Sequence, residues 1–152
     1  MSTSTKKDVF YSDTLVRFSH CDPAGIVFYP HYFVMFNGLV EDWFNHGLEI
    51  DYARFITERR MAMPIVNVNC NFKAPSKIGE VITLTLKVAH IGNSSLKLDI
   101  GAIYREQERL SAQLTMVLTT LENLRAAPIP EDLRARLGAF RQGKLDTPWR
   151  QA

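Results

Sequence analysis

The sequence predicts an α+β protein in which one curved antiparallel β-sheet wraps a long apolar helix. Apolar residues recur at helical spacing after Pro30, and they are too dense for the helix to leave a broad face in water. From residue 63 onward, four segments alternate apolar and polar side chains with a period of two, and short turns separate them. Short turns favour antiparallel neighbours, so a sheet of such strands is the expected cover for the helix.

The length of the chain predicts one domain. Its 152 residues suffice for a substantial core. We assign residues 9–141 to a single domain, residues 1–8 to a flexible polar N-terminus and residues 142–152 to a C-terminal tail. A strand is predicted over residues 9–18, because alternate side chains there share one side: Phe10, Thr14, Val16 and Phe18.

The segment 20–47 carries the most specific local signals. A tight turn begins at Asp22, which proline follows, and Gly25 allows a positive φ. Pro30 suits the first helical position, and Gly47 predicts the end of the helix. The turn therefore places a lone carboxylate just before a helix start, where unpaired N–H groups carry partial positive charge.

The second half of the chain reads mostly as strands. The predicted elements are a short helix over 51–60 capped by Asp51, strands over 63–72, 81–91, 95–105 and 110–121, and a closing helix after Pro130. In the first of these strands one face holds Val66, Val68, Cys70 and Phe72, and the other holds Ile65, Asn67, Asn69 and Asn71. Asparagine is a poor strand former, so that second face is predicted to be wet or to lie at an interface. The free edges of the sheet predict dimerisation by edge pairing.

The composition excludes several classes of protein. With 46% hydrophobic and 22% charged residues it is typical of a globular protein, and a net charge of +2 without a basic run argues against a nucleic-acid binder. The sequence contains no stretch of about 18 apolar residues, so it predicts no membrane span. The N-terminus lacks an apolar signal-peptide region. Two cysteines, Cys21 and Cys70, make no disulfide framework, so we expect a cytoplasmic protein.

The run DPAGIVFYP at residues 22–30, with Tyr32 soon after, resembles the signature of the 4-hydroxybenzoyl-CoA thioesterase family. Weaker likeness continues through residues 64–66, 72–74 and 124–130, so that it covers about residues 10–130. The resemblance implies the hot-dog fold, in which a sheet wraps a long helix. It also implies a homotetrameric enzyme that hydrolyses acyl-CoA thioesters without a metal or another cofactor.

The resemblance assigns the catalytic acid to Asp22 and the backbone N–H that polarises the thioester carbonyl to Tyr29. A thioester requires either a carboxylate nucleophile or a general base for water, and one aspartate can serve either route. Since Pro30 has no N–H, the candidate donors at the helix start are Tyr29, His31 and Tyr32, of which we select Tyr29.

Three further residues are predicted to bind substrate. Arg125 lies in the run Leu-Arg-Ala-Ala-Pro and is assigned to the CoA phosphates. His31 follows the helix start, and Asn37 breaks the apolar helix, where it either is solvated or lines the pocket or the dimer seam. The turn at 92–95 has no Lys or Arg, although such residues are frequent there in CoA-binding members, so we expect weak binding of the nucleotide end.

Other interpretations of the same residues stay open at this point. His20, Cys21, Asp22 and His31 are potential metal ligands, but their spacing fits no zinc pattern, and we predict no metal. A hot-dog enoyl thioester hydratase would use His20 or His31 as its base. A non-catalytic acyl-CoA-binding module would bind thioesters without releasing thiol.

Overall fold

The computed structural model describes residues 5–146 and 149–151. Its elements in chain order are β1 (Val9–Leu15), a 3₁₀ turn (Phe18–His20), α1 (Pro30–Asp42), a π-helical turn (Trp43–Gly47), α2 (Tyr52–Thr57), β2 (Met61–Ala62), β3 (Ile65–Phe72), β4 (Val81–Ile91), β5 (Ser95–Tyr104), β6 (Gln107–Val117), β7 (Thr119–Thr120), β8 (Arg125–Ala126) and α3 (Glu131–Arg141). Residues 1–4 of the predicted flexible N-terminus and residues 147, 148 and 152 of the predicted tail lie outside the described residues.

Five strands form one antiparallel sheet in the order β1-β4-β5-β6-β3, and a small sheet has the order β2-β7-β8. Helix α1 buries one side against the large sheet. The buried residues of that side are Tyr32, Met35, Phe36, Leu39 and Val40. The facing strand residues include Leu84, Leu86, Leu98 and Leu114, all at most 1% exposed. The predicted α+β architecture of a sheet against a long apolar helix is confirmed, because this burial is what the apolar spacing requires.

Helix α1 nevertheless leaves a narrow stripe in solvent. Val34, Asn37, Gly38 and Glu41 are exposed, and their spacing of three and four residues puts them on one side of the helix. The prediction that α1 leaves no broad side in water therefore holds, because the side against the sheet is buried. Only the narrow stripe on the other side is uncovered in the protomer. Among the described residues, no helix is long and apolar enough to cross a membrane.

The connection between β3 and β4 differs from the expected tight turn between neighbours. These two strands are separated in the sheet by β5 and β6, so residues 73–80, which we call the crossover segment, must pass across the ends of both. Adjacent strands lie about 4.8 Å apart, so the segment crosses three such spacings between β3 and β4, and eight residues easily span them. Backbone N–H groups of Lys73 and Ala74 donate to Arg109 O at 2.8 and 3.1 Å, which ties the segment to β6.

Strand β3 is an edge strand with a β-bulge. Ile65 pairs with Met116 and Asn67 pairs with Thr115, so Val66 is the extra residue between them. The bulge moves Ile65 to the core side with Val68, Cys70 and Phe72, whereas simple alternation placed it with the asparagines. Asn67, Asn69 and Asn71 pair with Thr115, Gln113 and Ser111 on the outer, polar face of the sheet.

Two element boundaries also differ from the prediction. Strand β1 ends at Leu15, and Phe18 is 84% exposed on the 3₁₀ turn rather than inside with Val16. Strand β6 starts at Gln107, because Arg105 and Glu106 form a two-residue turn with φ of 47° and 65°. Such turns are usually signalled by glycine or asparagine, which this turn lacks.

The C-terminal residues contact the body of the protein. Trp149 stacks on His46 with the ring centroids 3.8 Å apart, and Arg150 Nη2 donates to Asp13 Oδ1 at 3.3 Å. Helix α3 buries Leu133, Leu137 and Phe140, the three residues that its spacing predicts. Strand β1 is thus covered by later parts of the chain.

Candidate active site

Residues 21–28, which we call the Asp22 loop, form a small hydrogen-bonded loop before α1. Phe28 N–H donates to His20 O at 3.0 Å, and Asp22 N–H donates to Ile26 O at 3.1 Å. Gly25 has a φ of 76° and its N–H donates to Asp22 O at 2.9 Å, so the loop uses the conformation that glycine permits. The Asp-Pro-Ala-Gly sequence therefore folds locally as the turn that it predicts.

The Asp22 carboxylate is half-buried and only partly bonded. Its Oδ1 atom accepts the N–H of Ala24 at 2.9 Å, which fixes the side chain over its own loop. Among the described residues, Oδ2 has no hydrogen-bond or ion-pair partner. One oxygen thus holds the geometry while the other is available for chemistry.

Tyr29 lies at the start of α1, with Pro30 at the first helical position. The N–H groups of His31 and Tyr32 donate to Phe28 O and Tyr29 O, at 2.9 and 3.1 Å. Within the described chain, the N–H of Tyr29 has no acceptor. Of the three candidate donors, it is the one left free at a helix terminus that carries partial positive charge.

Two imidazoles lie beside the Asp22 loop. The His31 ring is 6.3 Å from that of His20 and 6.0 Å from that of Phe28. His20 Nδ1 accepts the N–H of Arg17 at 2.9 Å, so the proton of the neutral ring is on Nε2. Burial, with His31 and Arg17 nearby, lowers the pKa of His20, which keeps this ring neutral at pH 7.

An apolar cavity of about 300 Å³ opens next to Tyr29. Its lining residues are Ile26, Val27, Tyr29, Tyr32, Phe72, Lys73, Ala74 and Pro75. The Phe72 ring lies 6.1 Å from that of Tyr29 and 5.9 Å from that of Tyr32. The sequence places Phe72 on a strand and in a segment of weak family likeness, but not at the site. Its contribution depends on the strand end meeting the helix start, which no local sequence pattern indicates.

Asn37 and Arg125 lie at the other end of the sheet. Asn37 lines a second cavity of about 530 Å³ together with Ile65, Met116 and Leu124. Arg125 follows Leu124 on β8 and is exposed. Because Phe72 and Ile65 are the two ends of β3, the two cavities are separated by about 23 Å along that strand. One protomer therefore places Asp22 on the Asp22 loop and Tyr29 and His31 directly after it, but it holds Asn37 and Arg125 at the other end of the sheet.

A basic residue that sequence reasoning missed lies at the β4–β5 turn. Arg134 Nη2 donates to Gly92 O and Asn93 O at 2.8 and 2.9 Å, from its position on α3. The turn itself has no Lys or Arg, as the sequence shows, but the fold supplies a guanidinium from 41 residues beyond Asn93 in the sequence. The spacing of apolar residues predicts that α3 is a helix, but it does not indicate which turn the polar side chains of that helix contact.

The side chains proposed as potential metal ligands do not converge in this structure. Across residues 5–146 and 149–151, no three side chains of His, Cys, Asp or Glu come close enough to hold a metal ion. Cys21 Sγ instead lies 3.4 Å from Arg17 O, and Cys70 is half-buried on β3, where burial raises the pKa of its thiol. Burial of this kind disfavours the reactive thiolate form of Cys70.

The family model described as the thioesterase-like superfamily matches residues 16–137. The chain is 28% identical over 122 residues to a 1,4-dihydroxy-2-naphthoyl-CoA hydrolase of Acaryochloris marina, covering 78% of this chain and 88% of that protein. A solved 1,4-dihydroxy-2-naphthoyl-CoA thioesterase from Synechocystis is similar with a TM-score of 0.77 and 21% identity, over 86% of this chain and 96% of that one. A solved gentisyl-coenzyme A thioesterase is similar with a TM-score of 0.75 and 24% identity, over 85% and 98%.

These matches confirm the hot-dog fold and the resemblance at the level of the superfamily, without singling out the 4-hydroxybenzoyl-CoA family. The matched residues include the whole Asp22 loop, α1 and every strand of the five-stranded sheet except β1. The predicted class of enzyme, a thioester hydrolase, is confirmed at the same level. The chain belongs to the thioesterase-like superfamily.

Proposed function

We propose that this protein hydrolyses aryl-CoA thioesters, with Asp22 as the catalytic carboxylate and the Tyr29 N–H as the oxyanion donor. One observation carries the proposal: among the described residues, a carboxylate oxygen without a partner lies on a hydrogen-bonded loop, and a helix-terminal N–H without an acceptor directly follows that loop. A donor of this kind stabilises the charge that develops on the carbonyl oxygen in the transition state. A carboxylate beside it supplies the second requirement of thioester cleavage.

The chemistry follows one of two balanced routes. In the first, Asp22 Oδ2 attacks the thioester carbon, the C–S bond breaks, the CoA thiolate leaves and water hydrolyses the mixed anhydride. In the second, Asp22 accepts a proton from water as that water attacks the same carbon, after which the C–S bond breaks and the CoA thiolate leaves and takes up that proton. Both routes place negative charge on the carbonyl oxygen next to Tyr29, so both require the same N–H.

An aromatic acyl group is the proposed substrate class. The 300 Å³ cavity beside Tyr29 is lined largely by apolar side chains and by the rings of Tyr29, Tyr32 and Phe72. Edge and tilted contacts between rings stabilise an aromatic guest beyond simple burial of area. The relatives named above act on naphthoyl and gentisyl thioesters, which agrees with this choice.

We propose further that the working enzyme is a homo-oligomer built by pairing of β3 edges. Among the residues that the structure describes, no strand pairs with the outer edge of β3, and the core-side face of this strand leaves Val68 and Phe72 40% and 49% exposed. Antiparallel pairing of two copies about the strand centre would put the Phe72 end of one beside the Ile65 end of the other. The Asn37 end of a partner would thereby complete the site that holds Asp22 and Tyr29.

The test is a thiol-release assay on a panel of CoA thioesters. We expect turnover of benzoyl, hydroxybenzoyl and naphthoyl thioesters, with kcat/KM higher than for hexanoyl-CoA. Loss of the double bond of an enoyl-CoA without thiol release would identify a hydratase instead. Saturable binding of the same compounds without any product would contradict the proposed enzyme and support a binding module.

A further inference from the structure

A buried ion pair joins β6 to the crossover segment. Arg109 Nη1 donates to Glu80 Oε1 at 2.8 Å, and its Nη2 donates to Oε2 at 3.2 Å, which makes a two-pronged contact. Arg109 is 6% exposed, and the Glu80 side chain is 15% exposed. Neither residue belongs to the machinery described so far, yet burial of such a pair is costly unless its geometry is fully satisfied.

The Arg109 guanidinium uses its remaining donors on the same segment. Nη1 also donates to Pro75 O at 2.8 Å and to the buried Ser76 Oγ at 3.3 Å, and Nε donates to Gln107 Oε1 at 2.8 Å. The Tyr104 ring lies under the guanidinium, 4.8 Å from it. These contacts fix Pro75 and Ser76 against β6.

Glu80 closes the same segment from its other end. Its Oε1 atom accepts the N–H of Lys77 at 2.6 Å, and its own backbone O accepts the N–H of Val16 at 2.8 Å. The carboxylate therefore bridges Arg109 to the backbone of the turn. The residues from Pro75 to Glu80 are thus held in one shape by two charged side chains.

The segment so fixed is the support of the Asp22 loop. Val27 N–H donates to Ser76 O at 2.9 Å, Ile78 N–H donates to Gly25 O at 3.0 Å, and Ile26 pairs with Lys77 in an isolated bridge. In each of these contacts the partner on the Asp22 loop lies within five residues of Asp22 in the sequence. The order of contact is therefore Arg109, Glu80 and the crossover segment, then the Asp22 loop and the start of α1.

The second path from the ion pair reaches α1 directly. The Tyr32 phenol is buried, which raises its pKa, and the Ser76 hydroxyl and the Arg109 guanidinium next to it partly offset that rise. Tyr32 lies one turn from Tyr29 on the same helix and shares its cavity. The same guanidinium therefore lies near Tyr32 on α1 and reaches the Asp22 loop through Ser76.

We propose that Arg109, paired with Glu80, is a positioning residue that holds the Asp22 carboxylate and the Tyr29 N–H in register across the crossover segment. The inference rests on the proposed function for its catalytic consequence. Neither residue touches the substrate in this scheme. Misplacement of a reacting group by about 1 Å is enough to reduce the rate by roughly a hundredfold.

The test compares Arg109→Lys with a matched control, Arg59→Lys. Lysine keeps the charge but loses the two-pronged contact and the bond to Pro75 O. Arg59 makes the same kind of contact with Asp132, with both N–O distances 2.8 Å, but it links the turn after α2 to α3 away from the Asp22 loop. Glu80→Gln is the second variant, since it is nearly isosteric and removes the charge from the other side.

All variants are assayed well below their unfolding midpoints, and circular dichroism verifies that they are folded. We expect Arg109→Lys and Glu80→Gln to lower kcat by roughly ten- to a hundredfold with little change in KM. Arg59→Lys should change the unfolding midpoint little, because its pair with Asp132 is partly exposed, and should leave kcat within about twofold of wild type. Wild-type kcat in folded Arg109→Lys and Glu80→Gln would overturn the inference.

Hydrogen exchange separates this inference from the proposed function. Peptides covering residues 22–29 should exchange faster in Arg109→Lys and Glu80→Gln than in wild type, while peptides of α3 should not. This result is expected even if no thioester turns out to be a substrate. Unchanged exchange at 22–29 in both variants would refute the positioning role, whatever the activity.

Discussion

The Oδ1 atom of Asp22 accepts the backbone N–H of Ala24 at 2.9 Å, so the proposed catalytic carboxylate is also the residue that shapes its own loop. The structural and catalytic duties fall on different oxygens of one side chain. They can therefore be separated by a substitution that keeps the first oxygen and alters the second.

Asp22→Asn should lower the rate of thioester hydrolysis by roughly two to four orders of magnitude, the scale of a lost acid/base group or nucleophile. The amide oxygen can still accept the Ala24 N–H, so the unfolding midpoint should barely move. Asp51→Asn is the matched control, because Asp51 Oδ1 accepts the Arg54 N–H at 3.0 Å in the same way at the start of α2. Near-wild-type turnover by Asp22→Asn would contradict the assignment.

A lysine at Val68 should prevent pairing of β3 edges, since a charge on an edge strand blocks its association with another strand. Light scattering should then give 17.3 kDa, where wild type gives a multiple of that mass. Thioesterase activity should fall together with the loss of the oligomer if the Asn37 end of the partner subunit completes the site. Val81→Lys is the control: Val81 is 43% exposed, similar to Val68, but lies on β4. A wild type that is monomeric at micromolar concentration would contradict the oligomer.

Arg125→Ala should raise KM for CoA substrates by about tenfold, near 1.4 kcal/mol, the size of one charge-assisted contact to a phosphate. It should leave the hydrolysis of acyl-N-acetylcysteamine unchanged, since that substrate has no phosphate. Arg54→Ala, an equally simple loss of an exposed guanidinium on α2, should affect neither. An equal effect of Arg125→Ala on both substrates would show that the residue acts elsewhere than on the nucleotide.

Glu80 should make stability depend on pH in the acid range. The hydrogen bond from Arg109 lowers the pKa of Glu80 below its ordinary value of 4.5. A carboxyl whose pKa is lower in the folded than in the unfolded chain stabilises the fold above the unfolded pKa, and this stabilisation is lost as the pH falls through the folded value.

The variant Glu80→Gln should therefore be less stable than wild type at pH 7, by about 1–3 kcal/mol for a lost charged hydrogen bond. Its free energy of unfolding should also change less between pH 6 and pH 3, as measured by urea titration. Glu122→Gln is the control, because the Glu122–Arg60 pair is largely exposed and should contribute little. Parallel pH curves for wild type and Glu80→Gln would disprove the linkage.

The sequence alone determined the elements whose chemistry is local. Pro30 begins α1, Asp51 caps α2, Gly25 takes a positive φ, and β4 runs over Val81–Ile91 as the alternation predicts. Each depends on residues within one or two turns of one another, so spacing and residue type suffice. The Asp22 motif was readable for the same reason.

Tertiary structure decided what depends on distant pairs. The place of β3 beside β6 made residues 73–80 a crossover, and no local pattern distinguishes that from a hairpin turn. The same pairing put Phe72 beside Tyr29, and it left Asn37 and Arg125 at the far end of the sheet. Arg109 and Glu80 are 29 residues apart in the sequence and meet only because the crossover passes under β6. Contacts between residues so far apart in the sequence arise from the packing of whole elements. The energies that select them are distributed over the entire core, so no single segment of the sequence determines them.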